Sequence, residues 1–478
     1  MSFLPSIFAA ISVALEGVGI LLALRAILIA RTPQSAIAWA CGLVILPVAT
    51  IPLFLIFGQS RFAGYTLAGS SGSQKLDEAF QAIIRHLDGY QAEFTGPFHE
   101  AARMANNLSR IPATNGNKLD LLIDGQATFD AIFAAIDEAK ESVWVQFFII
   151  HDDTLGRALA ERLVAAARRG VECRVMFDQV GSKALPKSWT ARLRSEGIHV
   201  ESFTTNRQFG RRFQINFRNH RKLVIVDALV AFLGGLNVGD EYMGRSRRFG
   251  PWRDTHLRVE GPAVAGFQLS FLEDWNYING EVPPFRLPKP LVHPTPSPVV
   301  FPVASGPAED WSICPAVFLS VINSASRRIW IASPYFVPGS PLFYALCHAA
   351  IRGVDVRVIL PQLADHILPW LSSFTYYPKL RVAGVKIWRY RSGFMHQKIL
   401  LADNDISIVG SINVDYRSFM LNFELSAAIQ DKNFADRIES MFLADFDRSS
   451  PEDLRKFEDG SIFFRLKCRS AALMSPEQ

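Results

Sequence analysis

Apolar positions along this chain follow two regimes. From Phe3 to Leu24 and again from Ala36 to Phe57 they run almost without a break, and each run has the roughly 20 residues that a membrane-crossing helix requires. Further on, amphipathic stretches of helical period alternate with short apolar runs that read as strands. Three such pieces occur twice and in the same order: "AIDEAKESVWVQFFII" and "VINSASRRIWIASPYF", around Trp144 and Trp330; "LVAAARRGVECRVMFD" and "LCHAAIRGVDVRVILP"; "RLRSEGIHVESF" and "KLRVAGVKIWRY". The pattern predicts a duplicated α/β unit with mostly parallel strand pairing.

This divides the chain into a helical hairpin (1–60), a membrane-proximal connecting segment (61–115), a first α/β domain (116–280), a Pro-rich linker (281–302), a second α/β domain (303–450) and a tail (451–478). The first apolar run lacks a basic n-region, exceeds an ordinary signal-peptide core and is followed at once by a second run, so it reads as a retained helix. Pro47 and Pro52 are expected to kink the second span, and Glu16 to face its partner helix or the headgroup region. Arg25 and Arg31 in the hinge against Arg61, Lys75 and Arg85 after it do not fix the orientation. The tail segment "SIFFRLKCRSAAL" mixes aromatic, aliphatic and basic positions as an interfacial helix would.

Composition sharpens this. The 478 residues suffice for two cores, and the 49% hydrophobic content owes its excess to the N-terminal runs. Five cysteines show no paired spacing; they read as unbridged and favour a reducing compartment, the cytoplasmic side, for the α/β part. The net charge of +5 is concentrated, with Arg207, Arg211, Arg212, Arg218 and Arg221 followed by Arg245, Arg247, Arg248 and Arg253. Such a basic rim suits phosphate headgroups or a nucleic-acid backbone, and the apolar hairpin favours the lipid.

The chemistry lies in a motif that occurs twice. His220, Lys222 and Asp227 are followed by Gly234, Gly235 and Asn237; His396, Lys398 and Asp403 are followed, at identical spacing, by Gly410, Ser411 and Asn413. His and Lys two apart share one face of an extended segment. The small residues of each turn would let backbone N–H groups and an Asn amide approach an anion, as a phosphate cradle does. A single histidine of this kind is more often a core residue; the whole pattern duplicated points to function. Two such half-sites supply a nucleophilic imidazole, a protonated imidazole for the leaving oxygen, and Lys222, Lys398, Asn237 and Asn413 for the non-bridging oxygens, with no metal or other cofactor required.

On these residues the chain resembles the phospholipase D superfamily, and within it the bacterial cardiolipin synthases. The segments that carry the resemblance are "RTPQSAIAWACGLVILPVATIPLFLIFG", the two motif runs, "PWRDTHLRVEGPAV", "ASPYFVPG" and "AAIRGVDVRVILP", which together cover nearly the full length. The resemblance implies two pseudo-twofold-related phospholipase D-like domains behind a transmembrane hairpin in the bacterial inner membrane. It implies a phosphatidyl transfer: one phosphatidylglycerol forms a phosphatidyl-histidine and releases glycerol, and a second phosphatidylglycerol takes the group to give cardiolipin. It assigns Asp254 and Glu424 as the carboxylates that orient the histidines, while Asp227 and Asp403 brace local backbone. His220 is the expected nucleophile and His396 the acid and then base, the reverse assignment staying open. A phospholipase D, another phosphatidyltransferase and a membrane-tethered nuclease are the alternatives, nucleic acid being the less expected partner; oligomeric state is not legible.

Overall fold

A computed structural model describes residues 3–30, 33–58, 62, 65, 73–109, 111–204, 216–309 and 311–475. The described residues form two compact units, one of N-terminal helices and one α/β body.

In the helical unit the first run forms one helix, Phe3–Ile29, longer than its apolar pattern alone, and among the described residues it is the one helix long and apolar enough to cross a membrane. The second run is not a single helix. It divides into Pro33–Ile45 and Pro47–Phe57. Pro47 has no N–H for the Leu43 carbonyl and its ring disfavours helical geometry at Leu46, which breaks the rod; Pro52 stays inside a helix. The Leu43 carbonyl faces Gly19 of the first helix so closely that a Cβ there would lie 2.4 Å from its oxygen, and the absence of that Cβ lets the two backbones meet. Ala23, Ala26, Leu43 and Phe54 form the small core. Glu16 is exposed and does not face the neighbouring helix.

The α/β body is built of two lobes of the same plan. In the first, seven strands lie in the order Lys118–Ile123, Thr255–Glu260, Val230–Gly234, Leu223–Val226, Ser142–Phe147, Glu172–Asp178, His199–Phe203. The last three are mutually parallel, and every other neighbour pair is antiparallel. The second lobe repeats this. Val299–Ser305, Asn422–Gln430, Ile406–Gly410, Ile399–Ala402 and Arg328–Ala332 pair antiparallel, Arg328–Ala332, Asp355–Pro361 and Lys386–Tyr390 pair parallel, and Ser449–Pro451 closes the edge. The expectation of mostly parallel sheets is therefore corrected to mixed sheets. Strands such as Leu223–Val226 are buried along their whole length, and a continuous apolar run fits either pairing direction.

The segment before the first lobe and the Pro-rich stretch also belong to the body. Phe94, Phe98, Ala101, Ala102 and Ala105 enter the core of the second lobe, and helix Gln74–Leu87 packs on helix Ala263–Asn279 of the first. The stretch after Glu281 stays irregular only as far as Pro298, and Val299–Ser305 is a strand. The tail forms a helix, Ile462–Leu473. All five cysteines are free.

Candidate active site

Each His-x-Lys triplet leads directly into a buried strand, Leu223–Val226 in one lobe and Ile399–Ala402 in the other. The backbone of each triplet is tied to the opposite lobe: His220 donates its N–H to the Phe423 carbonyl at 2.9 Å, and His396 donates to the Arg253 carbonyl at 2.8 Å. The side chains repeat the exchange. His220 Nδ1 lies 2.9 Å from Glu424 Oε2, and His396 Nδ1 lies 2.9 Å from Asp254 Oδ2. The carboxylate that holds each ring thus comes from the other lobe, 204 residues away for His220 and 142 for His396.

An Nδ1–H donated to a carboxylate leaves Nε2 as the basic nitrogen, and no hydrogen bond among the described residues reaches either Nε2. Aromatic side chains line both rings. Phe148 stands edge-on to His220 at 5.1 Å between centroids, and Trp252 and Phe394 flank His396 at 5.2 and 5.9 Å. Lys222 Nζ donates to the His220 carbonyl at 2.7 Å; Lys398 Nζ donates to the His396 carbonyl, lies 2.8 Å from His396 Nδ1 and stands 3.9 Å from Asp254.

His220, Lys222, Asp254, His396, Lys398 and Glu424 are all buried, and burial dominates their protonation. It draws His220 down to about 4 against the pull of Glu424, with Lys222 adding to the fall. It draws His396 to about 4, Lys398 assisting and Asp254 opposing. Lys222 falls to about 7 and Lys398 to about 8 for the same reason, the carboxylates holding them up. Asp254 and Glu424 remain below the usual carboxylate range despite burial, because Lys398 and His396 favour the charge on one, and His220 and Lys222 on the other. With both lysines and both carboxylates charged and both imidazoles neutral, the cluster sums to zero. A phosphodiester anion entering it makes a proton on one imidazole favourable, which is what an acid for the leaving oxygen needs.

The Gly-rich turns do something other than the expected cradle. Gly235 N–H bonds to the Thr255 carbonyl at 3.1 Å and Ser411 N–H to the Leu425 carbonyl at 2.9 Å, so neither is available to an anion. The space is taken by the orienting carboxylates. A Cβ on Gly235 would lie 2.0 Å from Asp254 Oδ1, and Ser411 Oγ donates to Glu424. Asn237 and Asn413 are buried beside them. Asn237 Oδ1 accepts from Ile149 N–H and its Nδ2 donates to Tyr242 Oη at 3.1 Å; Asn413 Oδ1 is buried with no hydrogen-bond partner among the described residues.

Asp227 and Asp403 lie away from the imidazoles. Both adopt left-handed backbone, φ 53° and 48°. Asp227 accepts the N–H groups of Lys140, Glu141 and Ser142, and Asp403 those of Ser326, Arg327 and Arg328. Each brace fixes the start of the central parallel strand against the end of the motif strand.

Among the described residues, fewer of the basic-rim arginines are exposed than their count suggested. Arg207, Arg211 and Arg212 lie outside the described residues. Arg221 is buried, with its guanidinium 3.0 Å from Asp274 and bonded to the Ser270 and Ser305 carbonyls. Arg253 is buried in a two-pronged bond to Asp445 at 2.8 and 2.9 Å. Arg245 pairs with Asp240, and of the nine only Arg245, Arg247 and Arg248 are exposed among the described residues. In His-x-Lys the middle residue faces away from its neighbours, into a sheet covered on both sides, and an arginine there needs a buried partner.

Asp274 and Asp445 are the residues that sequence reading missed. Each bonds to the middle residue of its own lobe's triplet: Arg221 in the first, Gln397 in the second at 3.2 Å from Asp445. The signal was present as one more repeat, "FLED" ending at Asp274 and "FLAD" ending at Asp445. Asp365, which accepts from Tyr335 Oη at 2.6 Å, also lies near enough to His396 and Lys398 to act on their charge. His256 lies buried next to the first turn, its ring nitrogens without partners among the described residues and its pKa drawn by burial to about 3.

Comparison with known proteins agrees with this geometry. A family model described as "Cardiolipin synthase, PLD-like domain" matches residues 132–248 and again 318–446, one match per lobe. Cardiolipin synthase A of Pseudomonas putida (strain GB-1) is 44% identical over 461 residues, 96% of each chain. Cardiolipin synthase A of Pseudomonas fluorescens (strain SBW25) is 41% identical over 476 residues, 99% of each. The crystal structure of phosphatidylserine synthase from Haemophilus influenzae Rd KW20 superposes with a TM-score of 0.63 at 13% identity, covering 80% of this chain and all of that one; this likeness concerns the fold. Two lobes of one plan, each lending a carboxylate to the other's motif histidine, and relatives similar from end to end place the chain in the cardiolipin synthase family of phospholipase D-like proteins.

Proposed function

We propose that the chain is a phosphatidyltransferase that makes cardiolipin and glycerol from two molecules of phosphatidylglycerol. One observation carries the mechanism: the reciprocal His–carboxylate pairs across the lobe boundary, His220 with Glu424 and His396 with Asp254. His220 Nε2 attacks phosphorus, the bond to the glycerol oxygen breaks, and His396 supplies the proton that oxygen needs. His396, now neutral, takes the proton from the terminal hydroxyl of the second phosphatidylglycerol as its oxygen attacks, and His220 departs. Lys222 and Lys398, with the Asn237 and Asn413 amides, hold the non-bridging oxygens as charge builds. The bonds broken and made are alike, so no nucleotide donor is required, and aromatic side chains lining a buried site disfavour hydrolysis of the intermediate.

The helix Phe3–Ile29 and the broken pair Pro33–Phe57 anchor the enzyme as a hairpin in the bacterial inner membrane, with the α/β body on the cytoplasmic side. Exposed Glu16, at the midpoint of Phe3–Ile29, belongs against another membrane component. The test is direct. Purified full-length protein given phosphatidylglycerol alone in chelator-treated buffer is expected to yield cardiolipin and glycerol in equal amounts. Phosphatidic acid as the sole lipid product would make it a hydrolase, and turnover only with a nucleotide-activated lipid would overturn the proposal.

A further inference from the structure

The helix Ile462–Leu473, N-capped by Ser461, has two apolar faces. One is used: Cys468 and Ala471 are buried, and Phe464 packs edge-on against Phe374 at 5.3 Å, within the core of the second lobe. On the opposite face Ile462, Phe463, Leu466 and Leu473 are 55%, 74%, 52% and 82% exposed. At 3.6 residues per turn these four fall within about one third of the circumference. Lys467 borders that stripe on one side, and Arg469 and then Arg465 on the other.

Helix Ile367–Ser373 packs beside this helix, and its Ile367 and Leu368 are also exposed.

We infer that this face seats the α/β body on the anionic leaflet of a lipid bilayer, independently of the N-terminal helices. A helix with one side fastened in a core and the other apolar, bordered by cations, fits a membrane surface: the apolar side chains enter the acyl boundary, and the flanking cations reach lipid phosphates. A second copy fits less well, because a self-complementary contact through this stripe would bring its basic borders together without acidic partners. Glu458 and Asp459 stand before the helix, off the stripe, and Glu458 is paired with Arg381 at 2.8 Å.

The test uses the full chain carrying Cys41→Ala, which removes the exposed thiol, in vesicles of phosphatidylglycerol. A nitroxide on Leu466→Cys or Phe463→Cys is expected to be relaxed by dissolved oxygen and shielded from an aqueous nickel chelate, relative to a label on Lys456→Cys. Nickel access equal to that control would overturn the inference. So would spin–spin broadening removed by dilution with unlabelled protein, which would assign the face to a second copy. Because the readout is accessibility, it stands or falls apart from the reaction. Phe463→Ser with Leu466→Ser should raise the apparent KM for vesicle lipid several-fold and leave turnover of a soluble short-chain phosphatidylglycerol unchanged; an equal loss on both substrates would contradict it.

Discussion

At each imidazole the ring nitrogen facing the carboxylate is spent on orientation, and the other is left for the chemistry we propose. Replacing Asp254 with Asn or Glu424 with Gln keeps the shape and removes the charge that selects the tautomer. Each should lower kcat by roughly 10²–10⁴-fold, the range for a carboxylate that sets a catalytic imidazole. The damage should cross the lobe boundary. Glu424→Gln should change the alkylation rate of His220 and spare His396, as read by peptide mass spectrometry; the opposite pattern would contradict the observed pairing. The lysines set a second expectation. Their ammonium form exists below their pKa and is lost above it, and burial places those values at about 7 for Lys222 and about 8 for Lys398. The kcat/KM profile should therefore fall as pH rises through this window, and fall on the acid side towards about 4, where the nucleophilic imidazole of the empty enzyme takes a proton. A profile level to about pH 10, the unperturbed lysine range, would show that the buried amines do not carry the phosphate.

Among the elements, the turns after each motif show where sequence reading succeeded and where it stopped. Repeated small residues correctly marked a close approach, but the approaching group is a carboxylate from the same lobe, supplied 19 residues after Gly235 and 13 after Ser411. Gly235→Ala should drive its new methyl into Asp254 and misplace His396 of the other lobe. We expect a kcat loss of at least about 100-fold beside a stability loss of about 1–3 kcal/mol, the ordinary cost of overpacking, measured by turnover and thermal unfolding of the same preparation. Strand and helix order was legible because each element carries its own period. Pairing direction was not, because strands buried on both faces look alike whichever way they run. Nor was the burial of Arg221 and Arg253, since a count of charges has no term for the face on which a charge lies. The partners of both histidines are far off in sequence, and it was the family resemblance, rather than a local pattern, that named Asp254 and Glu424 for them.

For the whole molecule, the exchange of carboxylates makes the active site a property of two joined lobes. Arg253 of the first lobe holding Asp445 of the second, and Arg221 bonded to Ser305 and Glu424 carbonyls, fasten the boundary where the histidines meet. A protease site placed in the irregular stretch 283–292, where Leu291 and Val292 are exposed, should therefore give a nicked enzyme that keeps most of its activity. Loss of activity in step with cleavage would mean the linker, rather than the boundary, holds the lobes. The decisive measurement concerns the shared phosphorus. Enzyme quenched during turnover with short-chain phosphatidylglycerol and mapped by mass spectrometry should carry a phosphatidyl group on His220, absent from His220→Ala. An adduct on a residue other than the two motif histidines, or sustained synthesis by either His→Ala variant, would contradict two imidazoles from opposite lobes acting on one ester.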